Sequence, residues 1–360
     1  MKILTVVGAR PQFIKSAMIS KEIQKSEEIQ EVVLHTGQHY DTNMSEVFFK
    51  QLQIPEPAYY LGVGSGPHGK QTAVMLTEIE AIMEAIQPDI VLVYGDTNST
   101  LAGSLAASKL HLPIAHIESG LRSYNKKMPE EINRLITDHL SQWLFCPSAF
   151  AMENLRKEGI TKGVYVTGDI MYDAVLHFKD IALKESTILN DLELSKKDYN
   201  LATIHRAENT DDPEKLSSIL KALQQLETPT VLPLHPRTKK KIEQFNLTPF
   251  LSSSILVVEP LNYFDMLAIT SQAKLVLTDS GGLQKEAFML EVPCLTLREE
   301  TEWTETIKTG WNQLVGTDTK KIIQFATSIR APKEHPPLFG TGKAADEIIQ
   351  ILKRCFEKKD

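Results

Sequence analysis

Three carboxylates and one histidine hold positions from which they can exchange protons with a substrate. Asp96 follows the apolar run Ile90 to Tyr94, Glu118 follows Pro113 to Ile117, and His205 follows Tyr199 to Ile204. Glu130 opens a helical stretch just after Pro129. Each has an ordinary reading: Asp96 before Thr97-Asn98-Ser99 suits a helix N-cap, and Glu130 suits a first helical turn. Taken together they suit general acid and base work, because crowded carboxylates raise each other's proton affinity toward neutral pH.

A second constellation suits an anion. Thr278-Asp279-Ser280-Gly281-Gly282-Leu283-Gln284-Lys285-Glu286 places small residues at a helix start, where backbone N–H groups and the helix dipole favour phosphate. Arg10, Lys15 and His205 offer cationic or donor groups at other strand ends, so a diphosphate is the expected ligand, with Glu286 one turn into the helix and in reach of ribose hydroxyls.

The elements that must position these groups alternate. Apolar strand-length runs at Ile3 to Val7, Glu31 to Thr36, Ile90 to Tyr94 and Pro113 to Ile117 are separated by helix-length amphipathic segments. Continuous apolar runs, each followed by a helix, indicate a parallel sheet covered on both faces. The pattern restarts with Tyr199 to Ile204, Thr230 to Leu234, Ile255 to Val258, Lys274 to Thr278 and Pro293 to Leu297. At about 150 residues per domain, the 360 residues predict two domains. The boundary is placed near 169, giving domains 1–168 and 169–343, with a last helix at 344–358 that crosses back onto the first domain. In such sheets ligands sit beyond the carboxyl ends of the strands, so polar strand ends from both halves describe one central cleft.

Composition excludes several classes. Apolar residues make up 42% and charged residues 24%, a balance that predicts folded domains rather than disorder. A net charge of −7 argues against a nucleic-acid or anionic-membrane surface. No stretch approaches the roughly 20 apolar residues of a membrane span. Cys146, Cys294 and Cys355 are far apart and form no CxxC pair, so a reducing, cytoplasmic setting is expected without disulfides or zinc. Gly64-Ser65-Gly66-Pro67-His68-Gly69 matches GxGxxG, but it follows Tyr59-Tyr60-Leu61 rather than a buried strand, and Pro67 spoils a dinucleotide turn. His111 and His116 flank one strand and read as structural; His35 and His39 are unclustered.

Eight ordered motifs resemble those of the non-hydrolysing UDP-N-acetylglucosamine 2-epimerases. They are Gly8 to Lys15, Gly37-Gln38-His39, Gly95-Asp96-Thr97, Glu118 to Arg122, Pro129 to Arg134, Thr203 to Glu208, His235-Pro236-Arg237 and Thr278 to Glu286. The resemblance implies two Rossmann-like domains of the glycosyltransferase-B type and elimination of UDP across C1–C2. A 2-acetamidoglucal is then held while UDP adds back with inverted C2. It further implies no NAD or metal, a UDP-sugar as the bound partner, a homodimer and a role in surface polysaccharide precursors. By position, Asp96, Glu118 and Glu130 become the acid–base set, with Glu131 as a substitute for Glu130; His205 supports the departing diphosphate. Arg10, Lys15, Ser280, Gly281 and Gly282 hold phosphate and its surroundings, and Glu286 holds ribose. Which carboxylate takes the C2 proton stays open.

Two departures bear on the substrate. Gln12 stands where the family usually has Glu, and Trp303-Thr304-Glu305 replaces Arg-Pro-Glu, a pattern similar to the subgroup acting on UDP-2,3-diacetamido-2,3-dideoxy-glucuronate. The run Tyr40 to Glu46 differs from the family's allosteric segment, which leaves activation by a second UDP-sugar open. A glycosyltransferase on the same nucleotide site, a hydrolysing epimerase and a catalytically silent sensor remain as alternatives.

Overall fold

The structure is a computed structural model that describes residues 1–38, 49, 52–251 and 253–357. It divides into two compact units, Met1–Ala174 joined by the chain from Leu338 onward, and Val175–Pro337. The division falls inside the helix Ile170–Glu185, past the sequence boundary near 169.

The first unit is built on β1 (Lys2–Val7), β2 (Gln30–His35), β3 (Tyr59–Tyr60), β4 (Ile90–Tyr94), β5 (Ile114–Ile117), β6 (Trp143–Cys146) and β7 (Val164–Val166). They lie in the order β3-β2-β1-β4-β5-β6-β7, and every pairing is parallel. Alternate residues of each strand face opposite layers, and both layers are apolar. Leu4, Val6, Val91 and Val93 meet Met75, Ile79 and Met83 of the helix His68–Ile86 and Ala102 and Ala106 of the helix Asn98–Lys109. A fully buried Leu or Ile contributes roughly 2 kcal/mol, so this layer alone accounts for much of the unit's cohesion. The helix Ala344–Glu357 belongs to this unit: it packs on the helix Arg10–Ile23 through a buried face of Ile348, Ile349 and Leu352, and Lys353 Nζ donates to Ser26 Oγ at 2.7 Å.

The second unit repeats the plan with β8 (Asn200–Thr203), β9 (Thr230–Pro233), β10 (Ile255–Val258), β11 (Leu275–Thr278), β12 (Cys294–Thr296) and β13 (Asn312–Leu314), in the order β10-β9-β8-β11-β12-β13 and all parallel. Ala202, Leu232, Leu277 and Leu295 pack under Leu216, Ile219, Leu220 and Leu223 of the helix Pro213–Gln224. In each sheet the strand order reverses beside its first strand, which makes the ends of β1 and β4, and of β8 and β11, the places where ligands gather. Among the described residues no helix is long and apolar enough to cross a membrane.

Candidate active site

In the first unit the turn after β1 is set by Gln12. This side chain is 1% exposed; its Oε1 accepts from the amides of Gly8 (2.9 Å) and Ala9 (3.1 Å), and its Nε2 donates to Tyr94 O (2.9 Å) and Thr100 Oγ1 (3.0 Å). Gln12 therefore closes the loop on itself and ties β1 to β4. Gly8 is required by close approach, since a Cβ there would run into the hydroxyls of Thr36 and Ser99.

Lys15, one turn along the helix Arg10–Ile23, forms an ion pair with Glu118 at the end of β5. Glu118 has a left-handed backbone, φ 69°, that turns its carboxylate back toward β4. There it lies against Gly95, where an added Cβ would come within 3.2 Å of Glu118 Oε2 and 3.4 Å of Lys15 Nζ. Gly95 itself has φ 61°, so both conformation and space call for glycine. Asp96 follows directly; its Oδ2 accepts from Arg134 Nη2 (2.6 Å) and Nε (3.0 Å), and the side chain keeps 30% exposure. Asn133 Nδ2 donates to the Asp96 carbonyl at 2.9 Å. Asp96 and Glu118 thus stand on neighbouring parallel strand ends, each beside its own cation.

The helix Pro129–Leu140 separates its two leading glutamates. Glu130 is exposed in the first turn, whereas Glu131 is 1% exposed and accepts from the Ser123 and Tyr124 amides, both at 2.9 Å, and from Arg134 Nη1 at 2.9 Å. Burial opposes the charged form of Glu131, but these donors outweigh it and hold its carboxyl below the usual range. Glu131 is committed to folding the loop 121–128 and aiming Arg134. Its i, i+3 spacing to Arg134 was the signal available in the sequence. Arg10 begins its helix at intermediate exposure.

In the second unit the organising group is Asp279, fully buried after β11. It accepts from the amides of His205 and Arg206 and from Asn209 Nδ2, each at 3.1 Å. In the sequence Asp279 stands only as a member of the 278–286 motif, with nothing to mark this role. The loop it fixes leaves the His205 ring 40% exposed, 3.5 Å from Asp279 and with its centroid 6.2 Å from that of His235. Burial pushes the imidazole below its ordinary value; Asp279 opposes this, and Arg206 and His235 reinforce it. Ser280 caps the helix Gly281–Met289, its Oγ accepting from Leu283 N at 3.4 Å. A Cβ on Gly282 would meet only Ser280 Oγ, at 3.9 Å, while a Cβ on Gly281 would strike the Glu302 carboxylate, which Arg298 Nη1 holds at 3.0 Å. Glu286 lies at intermediate burial one turn on. Trp303 is 8% exposed and carries the Lys285 ammonium over its ring at 4.6 Å.

The structure thus gathers Lys15, Asp96 and Glu118 in one unit and His205, Ser280, Gly281 and Gly282 in the other. His39 and the run 40–46 lie outside the described residues. Among the described residues no group of three or more His, Cys, Asp or Glu could hold a metal.

Two parallel-sheet α/β units with polar strand ends and a glycine-led helix start define a nucleotide-sugar enzyme of the glycosyltransferase-B fold. The chain belongs to the UDP-N-acetylglucosamine 2-epimerase family, whose sequence pattern matches residues 21–353. It is 48% identical to the UDP-2,3-diacetamido-2,3-dideoxy-D-glucuronate 2-epimerase of Pseudomonas aeruginosa, over 98% of this chain and 99% of that protein. It is similar also to the crystal structure of Methanocaldococcus jannaschii UDP-GlcNAc 2-epimerase in complex with UDP-GlcNAc and UDP, with TM-score 0.89, 42% identity and coverage of 98% of this chain and 100% of that one. The Neisseria meningitidis enzyme bound to UDP-GlcNAc follows at TM-score 0.88 and 34% identity, covering 98% and 100%.

Proposed function

We propose that this protein is a non-hydrolysing 2-epimerase of UDP-2-acetamido sugars, with the 2,3-diacetamido uronic acid as its preferred substrate. The observation that carries it is the placement of Asp96 and Glu118 on adjacent strand ends, each beside a fixed cation. The C2 hydrogen of such a sugar has no carbonyl next to it, so direct exchange is prohibitively slow. Elimination avoids this: a carboxylate takes the C2 proton, the C–H pair becomes the C1=C2 bond, and the C1–O pair leaves with the diphosphate. Re-addition of UDP at C1 and protonation of C2 on the other face complete the inversion without an outside oxidant or reductant.

In this reading Asp96, Glu118 and Glu130 form the acid–base set. Lys15, Arg10, His205 and the Ser280-Gly281-Gly282 turn receive the diphosphate, and Glu286 receives ribose. His205, whose ring stays partly exposed at the end of β8, is suited to donating a hydrogen bond to the leaving phosphate oxygen. The preference for the uronic acid is supported by Trp303-Thr304-Glu305, the pattern similar to the subgroup acting on that sugar. The same reading makes the protein a cytoplasmic homodimer, with Val74 and Ile132, 41% and 44% exposed, among the apolar groups that pairing would cover.

Proton NMR in D2O tests the proposal. Deuterium entering C2 together with the manno epimer, with no added cofactor and faster with the uronic acid than with UDP-N-acetylglucosamine, is the expected result. Asp96→Asn and Glu118→Gln should each lower the rate at least about a hundredfold. No exchange with either sugar would transfer the site to a glycosyltransferase or a sensor.

A further inference from the structure

The first unit buries a line of charges for which the elimination above has no use. His116, fully buried on β5, places Nδ1 2.7 Å from Asp138 Oδ1 and Nε2 2.7 Å from the Gly95 carbonyl. The carbonyl can only accept. Burial works against a charged Asp138, but His116 and Arg122 outweigh it and keep the carboxyl below its ordinary range, so it too accepts. Each ring nitrogen therefore faces an oxygen, one toward the helix Pro129–Leu140 and one toward the end of β4. Asp138 Oδ2 in turn meets Arg122 Nη1 at 2.7 Å and the Gly120 amide at 3.2 Å, and Arg122 closes the line on Glu158 with bonds of 2.8 and 2.7 Å.

Stability does not account for this arrangement, because an apolar cluster of the same volume is commonly as stable as buried ions or more so. What the line supplies is two fixed backbone points. One is the carbonyl immediately before Asp96; the other is the amide two residues after Glu118. Gly120 is gripped from the far side as well, its carbonyl accepting from Asn154 Nδ2 at 3.0 Å.

We infer that His116 and Asp138, anchored by Arg122, are positioning residues that hold the Asp96 and Glu118 turns in register with each other. The inference rests on the acid–base reading of those two carboxylates. One buried ring bridges the strand end that carries Asp96 and the helix Pro129–Leu140 that carries Arg134, so both the carboxylate and its cation are referred to the same point.

The test compares His116→Gln and Asp138→Asn with the parent on C2-protonated and C2-deuterated UDP-sugar, with the folded fraction measured at the assay temperature. Misplacing the carboxylates should lower kcat per folded molecule about a hundredfold while KM stays within about threefold, and the isotope effect on kcat should be retained or enlarged. A purely structural role predicts an unchanged kcat per folded molecule, and that result overturns the inference. Should both variants fail to fold, the milder Arg122→Lys decides on the same readouts: a kcat per folded molecule lowered at least about tenfold with KM nearly unchanged supports the inference, and an unchanged kcat per folded molecule overturns it. A parent that leaves C2 unexchanged in every UDP-2-acetamido sugar would remove the epimerase reading itself, and this one with it.

Discussion

Gln12 shows what a single residue decides. Where it departs from the family pattern, the exchange of Glu for Gln looks in sequence like a change of substrate contact. The structure gives it an internal duty instead, with both donors and the acceptor used between β1 and β4. A carboxylate of the same shape accepts but cannot donate, so Gln12→Glu would set a buried charge against the Tyr94 carbonyl. That substitution should destabilise the fold by about 2 kcal/mol, read from urea unfolding, and should raise KM less than it lowers stability. An unchanged midpoint would mean that neighbouring groups rearrange to donate in its place. Trp303 carries the other departure, and there the partner is Lys285. Trp303→Arg would replace an attractive ring face with a second cation beside a buried ammonium and should cost about 2 kcal/mol; adding Lys285→Glu should recover at least about 1 kcal/mol of it. Additive losses in that double-mutant cycle would show that the 4.6 Å contact carries no coupling.

At the scale of elements, legibility followed length and two-sided burial. β4 is five consecutive buried apolar residues, and β1, β9 and β11 are nearly so; such runs announce a parallel sheet. Three short strands carry no such signal. Tyr59–Tyr60 has two residues, and Val164–Val166 and Asn312–Leu314 have three that are only partly buried, too little for a pattern to register; Trp143–Cys146 is four buried apolar residues, as long as β11, and nothing in its length explains its absence from the expected strands. The same logic separates the site residues. Asp96, Glu118 and the 278–286 motif stand out as candidates because they follow legible strands. The amide-holding duties of Asp279 and Glu131 and the His116–Asp138 pair are not legible in this way, because they depend on backbone amides and carbonyls that only the folded turns bring within reach; Glu131 itself stands in the sequence only as a substitute for Glu130. His116 reads as structural from sequence because its bond to Gly95 lies across the strand pair β4–β5 and leaves no trace in local spacing.

At the scale of the whole chain, the first unit must be left and re-entered, and both crossings converge on one short segment. Gly168 and Gly340 face each other so closely that a Cβ on Gly168 would come within 3.1 Å of Gly340 Cα, and the Asp169 amide donates to Phe339 O at 2.9 Å. One turn on, Asp173 accepts from the Ala345 amide at 2.8 Å and so caps the returning helix Ala344–Glu357. Burial raises this carboxyl to about 6; the Ala345 and Ala344 amides pull it down, and Asp169 and Glu22 push it up. A folded pKa above the unfolded value means that the favourable contribution is complete below about pH 4 and is lost as pH rises through about 6. Asp173→Asn keeps the accepting oxygen and removes the charge. Its stability relative to the parent should therefore improve by about 2 kcal/mol between pH 4 and pH 7.5, measured as the difference between paired melts so that groups common to both proteins cancel. A difference that stays flat across that range would place the Asp173 titration outside it. The returning helix would then be capped by an ordinary carboxylate, with no penalty for being charged.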